Sequence, residues 1–451
     1  MKKAAVTLLC AALQALAQEP LSLADAVRLA LRGNKSVEAA GAAASAAQSR
    51  ITEARGGFLP KISYAESWTR SDNPVFVFGS LLEQRQFAAG NFQLGPLNRP
   101  DFLNNFQSQI TADQVLYSAG QTRQAVRSAE LNHELATEEG RRTQMEVMAG
   151  VIRAYCDSVL TAEQSAATGQ SLRSAQADLE RAESIRDAGM ATDVDVLSIR
   201  VHLAGVRELQ IRREADVEVA RAALNDALGL PLDTPHRLTT PLAAFEPAEA
   251  PAASLETSAV AQRPEAREAK FMTSLAESQA AEARGKLRPQ VVLHTAFEAD
   301  RQRFITRAGD NWLVSIGMQW NLFNGFADKA RIDENRFAVA RASADAARTD
   351  SAVRLQVRRA SADLHSATQR IEVARASVAE AEESLRITQN RYEAGIANVT
   401  DLLRTETALL EARTRQLAAV HDQRIAAAML ELVSGTLTPD SAVLNERNPS
   451  R

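Results

Sequence analysis

The sequence repeats itself at a fixed distance, and that duplication limits the folds open to it. Asp187-Ala188-Gly189-Met190-Ala191 resembles Glu393-Ala394-Gly395-Ile396-Ala397, an offset of 206 residues. The same offset carries Asp195 to Asp401, Leu197 to Leu403, Gly229 to Gly435 and Leu116-Tyr117 to Leu322-Phe323. One shift that accounts for widely spaced matches marks a duplicated unit. Upstream the offset changes: Ala54-Arg55-Gly56 and Pro60 return 229 residues later as Ala283-Arg284-Gly285 and Pro289. The first half therefore holds 23 extra residues between Pro60 and Leu116.

Both halves read alike. A helix starts after Leu21-Ser22-Leu23, or near Leu255, and stops at Gly56 or Gly285; Pro60 and Pro289 then turn the chain to extended structure. Two strands follow, then a helical stretch over 121–188 or 327–394. Such a helix spans roughly 100 Å at 1.5 Å per residue, far beyond a globular helix. Gly189 and Gly395 interrupt it, and a further helix runs to Gly229 or Gly435. Between the halves, Pro231, Pro235, Pro241, Pro247 and Pro251 remove backbone donors and mark a linker over 230–257. The predicted division is 1–17 signal peptide, 18–229 first repeat, 230–257 linker, 258–435 second repeat and 436–451 C-terminal tail.

The strands alternate. Trp312, Val314, Ile316, Met318, Trp320 and Leu322 form one wholly apolar face, against Leu313, Ser315, Gly317, Gln319, Asn321 and Phe323. Val291, Leu293, Thr295 and Phe297 alternate with Gln290, Val292, His294 and Ala296. In the first half Ile62, Tyr64 and Trp68 alternate with Ser63, Ala65 and Ser67; Phe106, Ile110 and Leu116 alternate with Gln107, Gln109 and Asp113. A soluble sheet half-buried under helices would show the same alternation. Four such strands behind an export signal favour a lipid-facing barrel. Four strands cannot close, and an open edge in lipid leaves backbone groups unsatisfied, so several chains must share one barrel. The 71–105 loop, with Phe76, Phe78, Phe87 and Phe92, either folds over the barrel mouth or extends the strand pair, its aromatics suited to packing within the hairpin.

The export signal is Lys2 and Lys3, the apolar run 4–13 and an A-x-A site at Ala15-Leu16-Ala17. Cys10 belongs to it, because Leu9 stands where a lipid-anchor cysteine needs a small neighbour. Cys156 is then the only cysteine, without a disulfide partner. Beyond the signal no apolar stretch approaches the ~18 residues of a membrane helix. The formal net charge of −4 offers no basic excess for nucleic acid. Aromatic residues are only 5%, so long helices packed through small residues suit the composition better than a thick core. The six histidines are scattered, none at metal-ligand spacing, and no nucleophile elbow or phosphate loop occurs. The chain reads as a non-enzyme without metal or cofactor.

Along the helices, Ile371, Ala374, Val378, Ala381, Leu385, Thr388 and Tyr392 alternate spacings of three and four. Leu172, Ala175, Leu179 and Ala182 repeat this heptad seam in the first half. Leu403, Leu410 and Leu417, and Leu197, Ala204 and Ile211, keep a seven-residue period. A periplasmic coiled-coil scaffold or adaptor without a pore would share these heptads.

Strand, loop, strand, long helix, glycine and helix, duplicated in that order, resemble the TolC family of outer-membrane efflux and secretion channels. The resemblance is carried by Asn390-Arg391-Tyr392-Glu393-Ala394-Gly395 with Asp401-Leu402-Leu403, and by Asp187-Ala188-Gly189 with Asp195-Val196-Leu197. The strand ends Leu116-Tyr117-Ser118-Ala119-Gly120 and Leu322-Phe323-Asn324-Gly325 add to it. It covers essentially all of the mature chain. It implies a mainly α fold with β-strands, built as two tandem repeats. Long coiled-coil helices form a periplasmic α-barrel, and four transmembrane strands per chain complete a β-barrel in a homotrimer. The implied place is the outer membrane of a Gram-negative bacterium, among its lipids, with the 230–257 linker and C-terminal residues in an equatorial belt. The implied role is a passive conduit in a tripartite efflux or type I secretion system. Its partners would be a periplasmic membrane-fusion adaptor, docked at the helix-tip turns of Gly189 and Gly395, and an inner-membrane transporter of RND, ABC or MFS type.

The resemblance also implies a gate at the periplasmic end. Asp401 matches a pore-facing aspartate that forms an anionic ring. Arg404 stands where the family prototype has a second aspartate, and acid and base one turn apart partly cancel. Tyr392 and Asp195 match residues whose hydrogen bond latches neighbouring helices. Ala397 replaces the arginine beside that latch, which implies a resting state easier to open. Asp195 and Asp401 also sit just after a helix break, where acidic groups suit a helix N-terminus in any protein.

Overall fold

A computed structural model describes residues 19–189, 192–246, 251–305 and 308–444. The signal sequence, Met190, Ala191 and residues 445–451 of the C-terminal tail lie outside the described residues. The chain falls into two compact units. One comprises Met1–Ala43, Thr137–Ala269 and Ala346–Arg451; the other comprises Ala44–Ala136 and Lys270–Asp345.

The second unit is organised around a four-stranded antiparallel sheet. Its strands are β2 (Lys61–Ser71), β3 (Leu103–Tyr117), β5 (Gln290–Arg301) and β6 (Gly309–Gln319), in that spatial order. The centre of the sheet joins the two halves of the sequence: Ile110 pairs with Phe297 and Asp113 with His294. β2 and β6 are edges within the chain. Strand β6 ends at Gln319, so Trp320 and Leu322 lie beyond the ladder that their alternation suggested. Trp320 instead donates its indole N–H to the Leu287 carbonyl at 3.0 Å. Leu116 falls in a register shift between Val115 and Tyr117, which breaks the alternation of the first-half strand there. After each hairpin the chain turns sharply into a long helix. Two consecutive residues take positive φ at each turn, Ala119 and Gly120 at +52° and +84° and Gly325 and Phe326 at +67° and +68°, so glycine relieves the strain at only one of the two positions in each motif.

The 23-residue excess forms two short helices, α3 (Pro74–Glu83) and α4 (Leu94–Asn98). Asn73 caps α3, its side chain accepting from the Val75 and Phe76 amides. The segment folds back onto the sheet rather than lengthening the hairpin. Gln84 donates to the Asn104 carbonyl and to Asn105 Oδ1, both at 2.9 Å. Phe78, Phe87 and Phe92 stack edge-on, with centroids 4.7 Å apart for Phe78–Phe87 and 5.0 Å for Phe87–Phe92. Phe76 is not part of that cluster.

The first unit is helical. Its terminal region holds β1 (Glu19–Leu21), α1 (Leu23–Gly33) and the start of α2 (Lys35–Arg55). Asn34 divides the single N-terminal helix expected from the sequence, its side chain accepting from the Ser36 amide. The long helices are α5 (Gln121–Asp187) and α9 (Ala327–Glu393), each of 67 residues. Their partners α6 (Asp193–Leu228) and α10 (Val399–Ser434) have 36 residues each. Every boundary of the second pair lies 206 residues after its counterpart, so the duplication is structural as well as sequential.

The proline-rich stretch contributes secondary structure of its own. Strand β4 (His236–Leu238) pairs parallel to β1, and α7 (Ala252–Gln262) begins before residue 257. Helix α8 (Pro264–Gly285) follows. The main core packs Leu23, Val27 and Ala30 of α1 against Val151, Ile152 and Tyr155 of α5 and Leu224 and Leu228 of α6, with Leu437, Val443 and Leu444 from the chain's end. Cys156 lies buried in this core, and burial pushes its thiol up to about 11. Among the described residues no helix is long and apolar enough to cross a membrane.

Candidate functional site

The gate implied by the family resemblance would lie at the two helix–turn–helix tips of the helical unit. Gly189 and Gly395 make those turns with φ of +79° and +73°, a region that costs an L side chain energy. Nothing crowds the space a Cβ would occupy at either glycine, so the requirement is conformational. The Ile396 amide reaches back to the Arg391 carbonyl at 2.8 Å and closes the end of α9.

Both second helices are capped. Thr192 and Asp195 form a capping box: the Asp195 amide donates to Thr192 Oγ1 at 3.3 Å, and the Thr192 amide donates to Asp195 Oδ2 at 3.0 Å. The Thr192 hydroxyl adds a second bond to the same carboxylate oxygen at 2.8 Å. Asn398 caps α10 alone, accepting from the Asp401 amide at 2.8 Å. Asp195 is thus engaged at its own helix N-terminus. Among the described residues no hydrogen bond joins it to Tyr392.

Tyr392 is nevertheless close to Asp195 electrically. It is half-buried against Ala182, Val196, Ile199, Val399, Leu179 and Leu403, a small apolar cluster drawn from all four long helices. Burial, with the negative charges of Asp195 and Asp178, raises the Tyr392 phenol. Asp401 is half-buried and Arg404 is exposed. Among the described residues no ion pair links these two.

Just above this cluster lies a polar layer that the sequence reading missed. Asp178 on α5, His202 on α6 and Glu406 on α10 turn inward together, with Asp178 and Glu406 buried. His202 Nε2 lies 3.4 Å from Glu406 Oε2. Asp178 Oδ2 and both carboxylate oxygens of Glu406 are buried without a well-aligned hydrogen-bond partner. Arg181 reaches Asp178 and Glu393, each at 3.3 Å. Burial, then the contact with Glu406, pushes the Asp178 carboxyl up to about 8. For Glu406 burial works against the charge, but polar contacts from His202 and Asp178 outweigh it and hold that carboxyl below its usual range. One proton between two carboxylates is the arrangement such a layer favours. The available signal was spacing. Ala175, Asp178 and Ala182 are buried at intervals of three and four, as are Val399, Leu402 and Glu406, so both acids occupy seam positions.

The seams differ in part from those expected. On α6 the buried series is Val196, Ile199 and Val206, whereas Leu197 and Ile211 of the heptad reading are exposed. Among the described residues no cluster of histidine, cysteine or carboxylate side chains suits a metal ion.

Comparison with known proteins places this architecture. The family model described as outer membrane efflux protein matches residues 26–230 and 255–436, leaving out the linker between the repeats. The protein CyaE of Bordetella pertussis is 25% identical over 428 residues, covering 93% of this chain and 85% of that protein. The outer membrane efflux protein BepC of Brucella suis is 23% identical over 378 residues, covering 82% of this chain and 80% of that protein. Among solved structures, the Campylobacter jejuni CmeC outer membrane channel superposes with a TM-score of 0.79 at 14% identity, over 93% of this chain and 87% of that one.

Proposed function

We propose that this chain, which belongs to the outer membrane efflux protein family, is the outer-membrane channel subunit of a tripartite efflux or type I secretion system. As a member of this family it resides in the outer membrane and is not an enzyme. It works as a passive conduit from periplasm to exterior, driven by an inner-membrane pump.

The observation that carries this reading is the four-stranded sheet with two unpaired edges and an exposed apolar face. Ile62, Tyr64 and Trp68 on β2 and Trp312, Val314, Ile316 and Met318 on β6 are all exposed in the single chain. Water would oppose such a surface, and lipid would favour it. Lipid in turn forbids the open edges. Three copies, edge to edge, resolve both problems in a twelve-stranded barrel, a size within the range of outer-membrane barrels. The exposed Leu197 and Ile211 on α6 suit the same assembly, as faces packed against neighbouring helices of an α-barrel.

The gate belongs to the periplasmic tip. Three Asp401 side chains around the axis make an anionic ring, weakened by Arg404 one turn on. Tyr392 holds the tip helices together through its apolar packing, and Asp195 fixes the start of α6. The turns at Gly189 and Gly395 are the docking points for a periplasmic adaptor. Purified protein in planar lipid bilayers tests the reading. Stepwise ion conductance from outer-membrane preparations is the expected result. A soluble periplasmic monomer that never conducts would overturn it.

A further inference from the structure

The buried acid pair lies between the helix tips and the rest of the helical unit. Asp178 stands nine residues before the end of α5, and Glu406 stands seven after the start of α10. Any spreading of the tip that separates these two helices exposes both carboxyls to water. Both carboxyls are buried and present oxygens with no hydrogen-bond partner, and Glu406 acts directly on Asp178; two such carboxylates cannot both stay ionised, so that movement is sensitive to protons.

We propose that Asp178 and Glu406 form a proton lock: a proton shared between them holds α5 to α10, and opening of the tip releases it. The lock deepens the channel reading above, since it assigns a regulator to the tip that reading calls the gate.

The neighbouring charges fit this assignment. On α5, Arg181 is the cation beside Asp178, but it is shared with Glu393 of α9. On α6, His202 faces Glu406 rather than Asp178. Asp195 is held by its capping box, and Tyr392 of α9 is a neutral phenol. The other nearby cations are engaged: Arg200 with Glu183, and Arg413 with Glu382. Only half a guanidinium therefore stands against a second negative charge, and the proton supplies the rest. Asp178 keeps its proton in the closed tip up to about pH 8, whereas an exposed aspartate releases it near 4. Closed tips thus bind one proton more than open tips between those limits. The opening equilibrium rises with pH by up to about tenfold per unit across that window and levels off above it.

The test is hydrogen exchange on the full protein purified in detergent, between pH 5 and 8, read on peptides covering residues 170–187 and 399–413. After correction for the intrinsic pH dependence of exchange, the logarithm of the opening equilibrium is expected to rise with pH at a slope near one. Asp178→Asn keeps the shape and a donor but cannot ionise, so its slope is expected to fall near zero with the tip remaining protected. His202→Gln is expected to keep the wild-type slope. A flat wild-type profile, an unchanged slope in Asp178→Asn, or a slope lost in His202→Gln would each overturn the lock. Exchange reads the tip whether or not the protein conducts. A preserved slope in a protein that never conducts would strike the channel reading and leave the lock standing; conductance without the slope would do the reverse.

Discussion

Tyr155→Phe removes one oxygen from the middle of the helical unit, and the structure states what that oxygen holds. The Tyr155 hydroxyl is buried; it donates to the Leu21 carbonyl at 2.9 Å and accepts from the Thr239 and Thr240 amides at 3.1 and 2.9 Å. It therefore ties β1 and the chain after β4 to α5. The three bonds are not equal in consequence. The Leu21 carbonyl and the Thr239 amide also bond each other at 3.1 Å, so both retain a partner in the variant. The buried Thr240 amide has the hydroxyl alone, and an orphaned buried donor costs about 1–3 kcal/mol. The phenyl ring keeps its packing, so no cavity contribution is added. Local opening of this region should increase about 5- to 150-fold, at tenfold per 1.4 kcal/mol. Hydrogen exchange on peptides spanning 236–242 reads it, with peptides from the middle of α10 as an unaffected reference. Exchange within twofold of wild type in 236–242 would refute the reasoning that this hydroxyl anchors the segment.

Four other outcomes are expected. Ile316→Arg puts a charge on an exposed apolar strand face; at bilayer depth this costs about 2–4 kcal/mol per chain, and membrane assembly followed by heat-sensitive migration on gels should be lost, whereas a water-facing site would tolerate the change. His421 lies between Asp157 at 2.7 Å and Asp422 at 3.4 Å; burial opposes its charge, but these carboxylates raise the imidazole above its usual value. The stabilisation it gives is complete below the unfolded value near 6.5 and fades as pH rises through the folded one, so thermal melting between pH 6 and 8.5 should fall more in wild type than in His421→Gln. Tyr392→Phe with Asp195→Ala should raise single-channel conductance, and Asp195→Ala alone should give most of the effect, because the Asp195 carboxylate caps α6 and does not bond Tyr392; unchanged conductance in a channel that still assembles would remove both from the gate. Cys156, buried and with its thiol pushed up to about 11, should resist alkylation at pH 8 in the folded protein and react after denaturation.

Much of the fold was legible because its causes are periodic. Repetition at 206 residues located both long helices, their glycine turns and their capped partners to within a residue or two. Two-residue alternation found the four strands, since the pleat sends successive side chains to opposite faces. Features set by a single local bond were not legible. Asn34 splits the first helix by accepting its own downstream amide, and nothing in the heptads records that. β4 pairs with β1 across more than two hundred residues, so no local pattern announces it. The short helices of the 71–105 loop depend on Asn73 as a cap and Gln84 as a clamp. At the tip, the resemblance pointed to Asp195 and Tyr392, and the structure packs them near each other without the bond between them. Asp178 and Glu406 were hidden for a different reason. A charged residue at a seam position reads as an interruption of the heptad until its partner on another helix is known.

The proposed channel makes the sheet of one chain a fraction of a closed barrel. The mass of the protein extracted from outer membranes in mild detergent, measured by native mass spectrometry, tests it most directly. Three mature copies released as one particle, with twelve strands between them, are the expected result. A particle of one chain, or a mature chain recovered from the periplasm without detergent, would contradict it.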